Sequence, residues 1–183
     1  MGGDGAKGQE NTPETLLLLF FLFAGAGWLW EVAFVGASTG RLVNRGFLHG
    51  PWLPVYGVGG LLFVLLPGPR RGWRVPAVCA LLGAGVEYAA SLLLEGLFHA
   101  RWWDYTGWAG SVDGRICLAS AAAFGVAGWI LARWAGPWLR SALAEAPPSW
   151  RRRCCRGLCL LFAADLAASL LRPNTGAGIS FPL

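Results

Sequence analysis

Four of the ten acidic residues of this chain stand inside long apolar runs: Glu31, Glu87, Glu95 and Asp165. A charge at the centre of a lipid bilayer costs about 2.5–3.5 kcal/mol even on the most lenient insertion scale. An acid kept there needs a partner, a proton or a function. Gly83, Glu87, Ser91 and Glu95 recur every fourth residue, which places them in one stripe along a helix. Asp165 and Ser169 have the same spacing. Glu31, Glu87 and Glu95 are therefore expected to line a polar cavity that opens outward. The competing reading pairs these acids with Arg45 and Arg115 to hold the bundle together. Glu95 and Asp165, nearer helix ends or less supported by neighbours, suit that structural role better.

Two loops carry the remaining candidates. The first reads Arg45-Gly46-Phe47-Leu48-His49-Gly50-Pro51-Trp52-Leu53-Pro54-Val55-Tyr56-Gly57. Glycine and proline at that density force an irregular backbone, which is tolerated at membrane depth only where it lines a cavity or is covered by protein. Arg45 keeps its charge at any pH and histidine titrates near neutrality, so Arg45 and His49 could hold an anionic group or relay a proton. The second loop offers Trp103, Asp104 and Tyr105, then Asp113-Gly114-Arg115. That mixture fits a belt at the membrane surface or the lid of an outer pocket. The candidate substrate-binding set is thus Glu31, Arg45, His49, Tyr56, Glu87, Glu95, Trp103, Asp104, Tyr105 and Arg115.

The elements that must position these residues follow from composition. Of the 183 residues, 55% are hydrophobic and only 14% charged, with a mean hydropathy of +0.49. A soluble domain carries about 25% charged residues. The eleven tryptophans fit the same environment, because indole rings settle at membrane–water interfaces. The fold class expected is all-α: a polytopic membrane bundle of about five transmembrane helices. The spans fall at about Leu16–Gly36, Trp52–Leu66, Val75–Phe98, Ile116–Trp134 and Cys154–Leu171, with a short interfacial helix within Pro137–Trp150. Residues 1–15 read as a disordered tail, 16–172 as the helix bundle and 173–183 as a C-terminal tail.

Lys7 is the single lysine among fifteen basic residues. With the N-terminus inside, ten basic residues fall on the cytoplasmic side (Lys7, Arg70, Arg71, Arg74, Arg133, Arg140, Arg151, Arg152, Arg153 and Arg156) and five outside. The excess sets the N-terminus in the cytoplasm, and topology together with anionic lipid headgroups accounts for the Arg151–Arg153 cluster. There is also a faint repeat. Gly25-Ala26-Gly27 precedes Glu31, and Gly83-Ala84-Gly85 precedes Glu87. Each glutamate helix is followed by a loop rich in Trp, Gly and Arg and then by a helix of small residues, as in a parallel two-helix repeat.

Several chemistries find no support. No phosphate-cradling GxxxxGK[ST] stretch is present, so ATP hydrolysis would need a separate subunit. The five cysteines form no CxxC pair and have no adjacent histidine, and they read as small packing residues. No metal or other cofactor is expected. A nucleophile elbow and an HExxH stretch are both missing, which leaves an intramembrane enzyme for lipid or isoprenoid substrates as the second reading. A non-catalytic accessory subunit is the third. Nucleic acid is excluded as a partner because no soluble basic domain exists.

The order Gly27-Trp28-Leu29-Trp30-Glu31, the Arg45–Gly57 loop, Trp103-Asp104-Tyr105 and Gly114-Arg115-Ile116-Cys117-Leu118, with Ser120, Phe124 and Gly125, resembles the bacterial CmpB-like, type IV family of ABC-transporter permeases. The likeness covers about Leu16 to Trp134. It implies a multi-pass protein of the cell membrane that moves a small-molecule substrate, with membrane lipids around it and an ATPase as a separate subunit. Five spans are few for a transporter, so a homodimer is expected.

Overall fold

The computed structural model describes residues 11–65 and 72–175. Of the expected tails, 1–15 and 173–183, residues 1–10 and 176–183 lie outside the described residues, as do the Pro67-Gly68-Pro69 stop, Lys7, Arg70 and Arg71. Pro13–Thr15, expected in the N-terminal tail, belong to the first helix. The described residues form six α-helices joined by irregular loops at 40–53 and 99–117: α1 Pro13–Thr39, α2 Pro54–Leu65, α3 Arg74–Phe98, α4 Leu118–Ile130, α5 Gly136–Glu145 and α6 Pro148–Leu171. One π turn, Leu131–Ala135, joins α4 to α5 without a break. Among the described residues there are no strands beyond an isolated bridge between Val112 and Ile116.

Local signals set the ends of these helices. Thr12 caps α1, its hydroxyl accepting from the Thr15 N–H, and Pro13 takes the first position, where a missing N–H costs nothing. Gly40, in the left-handed region at φ 71°, closes α1 by donating its N–H to the Gly36 carbonyl. At α4, Cys117 and Ser120 form a reciprocal capping box.

Four apolar stretches are long enough to cross a bilayer: α1, α3, α6 and the continuous run Leu118–Glu145. At 1.5 Å per residue, α1 is about 40 Å long against a hydrocarbon core of about 30 Å. The last span begins at Pro148 rather than at Cys154, because arginine side chains can reach to the membrane surface from the first turns of a helix. The second expected span is different. α2 has only 12 residues, about 18 Å, and the residues before it are irregular.

Packing explains how that short helix is used. The Leu53 N–H donates to the Ala24 carbonyl, which fixes the end of the loop halfway along α1. α2 starts at that depth and returns beside the N-terminal half of α1. A Cβ at Gly27 would collide with the Tyr56 ring, so only glycine lets the two helices approach so closely. α4 does the same against α3. Gly125 sits against Pro76 and Ala80, and a Cβ at Gly83 would collide with the Phe124 ring. Leu118 therefore begins opposite the Glu87 level of α3. The molecule holds two units of the same plan: a long helix, a loop that dips to mid-depth, and a helix that starts there.

The two units meet through Phe63, Val75 and Cys79, with Leu82, Phe124, Leu131 and Ala132 around them. Outward side chains such as Leu81, Leu93, Leu160 and Leu161 are more than half exposed, as helices facing lipid tails require. α6 packs against α1. Beyond Ile130 the helix continues through the π segment into α5, which packs against α1, and Arg140 donates to Asn11. Trp138 on α5 is exposed, in keeping with the interfacial helix expected there.

Candidate functional site

The two loops fill the half of the bundle that their short helices leave empty. The first is held by three polar anchors. Trp28 donates to Asn44 Oδ1 at 2.6 Å, and Asn44 Nδ2 donates to the His49 carbonyl at 2.7 Å. From α6, the Asp165 carboxylate accepts from the His49 N–H (3.1 Å), the Gly50 N–H (3.0 Å) and Trp52 Nε1 (2.6 Å). Beyond α6, Asn174 Nδ2 points at the carbonyls of Asn44, Gly46 and Leu48, and its N–H donates to the Phe47 carbonyl. A loop with so many backbone groups at membrane depth needs this number of partners.

The second loop is held mostly by itself. Trp103 Nε1 donates to the Arg115 carbonyl and the Tyr105 N–H to the Gly114 carbonyl. Asp104 accepts from the N–H and hydroxyl of Thr106, and these two bonds hold its carboxyl below the usual carboxylate range. At Gly114 (φ 69°) a side chain would collide with Asp104 in a backbone conformation that disfavours one anyway.

The ten residues singled out from the sequence separate into three groups. At the centre, the Tyr56 hydroxyl donates to Glu31 Oε1 at 2.5 Å and the Tyr105 hydroxyl to Glu87 Oε1 at 3.0 Å. Both phenols and both carboxyls are close enough to interact electrostatically. Arg45 closes this group on the outer side, 3.7 Å from Glu31. Glu31 and Arg45 are about a quarter exposed, whereas Glu87 is 7% exposed and its Oε2 is buried.

Further out on α3, Glu95 is taken by arginines. Arg115 Nη1 lies 2.6 Å away and Arg101 Nε 2.9 Å away. Arg115 also donates to Ser91 and sits over the Tyr88 ring. The structural role expected for Glu95 fits this geometry. Trp103 and Asp104 hydrogen-bond within the second loop, to Arg115 and Thr106.

His49 forms the third group. Its Nδ1 is 2.9 Å from Ser169 Oγ and 3.8 Å from Asp165. A nucleophilic triad needs hydroxyl and carboxylate on opposite nitrogens of the ring. Here both face Nδ1, and Ser169 is fully buried. The arrangement clamps α6 to the loop and does not activate a nucleophile. Among the described residues no group of three or more His, Cys, Asp and Glu side chains could hold a metal ion.

Four contributors lie outside the set read from the sequence. Asn44, Asn174 and Arg101 fix the loops, and Ser120, third in α4, lies within hydrogen-bonding reach of Glu87. Ser120 occupies in α4 the place of Tyr56 in α2, a correspondence the repeat could have suggested. Nothing in the sequence marks Asn174.

What this centre can do follows from its contents. A buried carboxyl with a phenol on one oxygen, a serine within reach and, among the described residues, no basic residue within ion-pair distance can take up and release a proton. The shallower Glu31–Arg45 pair can orient a polar group arriving from the loop side. A family model described as "Putative ABC-transporter type IV" matches residues 18–170. No curated protein and no solved structure matches the chain.

Proposed function

The chain belongs to the putative ABC-transporter type IV family, and we propose that it is a proton-coupled transport subunit of the cell membrane, with its N-terminus in the cytoplasm. The two dipping loops form the outer, polar half of a substrate path. Glu31 and Arg45 meet a small polar substrate, and Glu87 carries the proton. An ATPase, where one is used, docks as a separate subunit, and two copies of the chain make the working unit.

The observation that carries this reading is the contrast between the two glutamates. Glu31 has an arginine beside it. Glu87, buried at mid-bundle, has a phenol and a serine. An isolated carboxylate in such a place is costly, so the group is neutral at rest. Protonation is its cheapest route to neutrality, and losing that proton requires a change in its surroundings. Such a group links proton movement to a conformational step.

Infrared spectroscopy of the reconstituted protein tests the proton. At neutral pH the protonated-carboxyl stretch is expected in the wild type and in Glu31→Gln, and is expected to be lost in Glu87→Gln. A band that survives Glu87→Gln sinks the coupling. For the substrate path, native mass spectrometry of gently extracted protein should retain a small molecule that Arg45→Ala releases.

A further inference from the structure

The chain has three tyrosines, and two of them end on the glutamates of the centre. Tyr56, in the first turn of α2, reaches across to Glu31 of α1. Tyr105, on the second loop, reaches Glu87 of α3. Filling a notch does not call for these hydroxyls. The Tyr56 ring occupies the space over Gly27, and at Gly83 the equivalent space takes Phe124, a ring without one.

The two phenol–carboxyl pairs adjoin. The Tyr56 and Phe124 rings pack with 6.0 Å between their centres, and one turn before Phe124 stands Ser120, within hydrogen-bonding reach of Glu87. The two phenols are near enough to interact electrostatically, and each also feels the carboxyl of the other pair. Exposure runs in one direction across the group, from Glu31, about a quarter exposed beside the first loop, to Glu87 at 7%. A proton held by Glu87 needs a way to water through groups that both donate and accept. A phenol does both. It keeps its own proton at neutral pH, so it passes one on only while it receives another.

We propose that Tyr105 and Tyr56 relay the proton between Glu87 and Glu31, which makes Glu31 the outer terminus of the path. The relay rests on the transport reading, in which Glu87 carries the proton. On the way in, the O–H bond of a protonated Glu31 breaks as its proton moves to the Tyr56 oxygen. The Tyr56 proton passes to the Tyr105 oxygen, directly or through one water, and the Tyr105 proton forms the new O–H bond on Glu87. Each phenol ends with one proton, and one negative charge has moved from Glu87 to Glu31. Release is the same sequence reversed.

Infrared spectroscopy of the reconstituted protein after a switch into deuterium oxide tests the relay. The quantity read is the rate at which the Glu87 carboxyl band moves to its deuterated position. Tyr105→Phe and Tyr56→Phe are each expected to keep the band and slow that shift roughly a hundredfold, the low end for a positioned proton donor and acceptor. Glu31→Gln should slow it similarly. Tyr88→Phe, whose lost hydroxyl donates to Asp113, should leave the rate unchanged. A hydroxyl that only tied helices together would act in the opposite sense, since its loss would loosen the centre and speed exchange. An unchanged or faster shift in Tyr105→Phe or Tyr56→Phe, with the band in place, overturns the relay and leaves Glu87 as the proton carrier. A band that survives Glu87→Gln overturns the transport reading and the relay with it. Should Tyr105→Phe fail to fold, Tyr56→Phe and Glu31→Gln decide.

Discussion

The two loop-bearing units follow one plan and treat their glutamates differently. In each, a glycine four residues before the glutamate admits an aromatic ring, Tyr56 at Gly27 and Phe124 at Gly83. In each, a loop arginine reaches back to an acid on the preceding long helix. In the first unit that acid is Glu31, the mid-helix carboxyl itself. In the second it is Glu95, two turns beyond Glu87, which holds Arg101 as well as Arg115. One additional acid thereby draws the arginines away and leaves Glu87 to a phenol and a serine. The difference between the two carboxyls' surroundings comes from this diversion. The loops also differ in what holds them. The first relies on Asp165 of α6, the second on its own turns and on Glu87, Ser91 and Glu95 of α3, and Asn174 touches both, accepting from Trp102 Nε1.

Three substitutions sharpen or break this comparison. The largest effect is expected for Arg115→Gln. Arg115 is the more buried of the two arginines on Glu95, its side chain 9% exposed, and it also serves Ser91. Removing one partner of a buried pair leaves the other uncompensated, and the melting temperature should fall by roughly 5–10 °C in a detergent unfolding scan. An unchanged melting temperature would mean that Arg101 alone holds Glu95.

Asp165→Ala comes next. It strips the acceptor from the N–H groups of His49 and Gly50 and from the Trp52 indole, and should lower the melting temperature by about 5 °C. The sharper readout is hydrogen exchange by mass spectrometry. Exchange should rise across 41–53 and stay unchanged across 99–117. Equal loosening of both loops would refute the idea that only the first depends on α6.

The smallest effect belongs to Arg101→Gln, whose side chain is 19% exposed and whose partner keeps Arg115. A shift of about 2 °C or less is expected in the same scan, as for most pairs near the surface. A loss as large as that of Arg115→Gln would show that the two arginines act as one unit. The distinction between them would then be abandoned.

Much of this was legible from residue types and spacing alone. Apolar runs of the right length, four acids within them and a crowd of glycine and proline after α1 gave a helical membrane bundle with an irregular loop at membrane depth. The Gly83–Glu87–Ser91–Glu95 spacing placed three polar groups on one helix stripe, and all three receive hydrogen bonds from the second loop. Hydropathy alone began the second span at Trp52, because an extended segment and a helix share apolar content; the prolines of the Arg45–Gly57 loop, not hydropathy, mark the helix start at Pro54.

What the sequence determined on its own is the environment and the inventory. Transfer energies and helix geometry depend on local composition, so a lipid-embedded bundle with costly acids inside it follows from the chain directly. Which acid meets which base was decided only by the fold. The residue pattern offered Arg45 and Arg115 as partners for the intramembrane acids without assigning either to one of them. Asp165 was read as a helix-end residue and became the acceptor that fixes a loop more than a hundred positions earlier. Pairing of charges depends on contacts within about 4 Å between helices and loops. Such distances are set by which glycines let rings approach and which loops dip to mid-depth, and neither is encoded in any single segment.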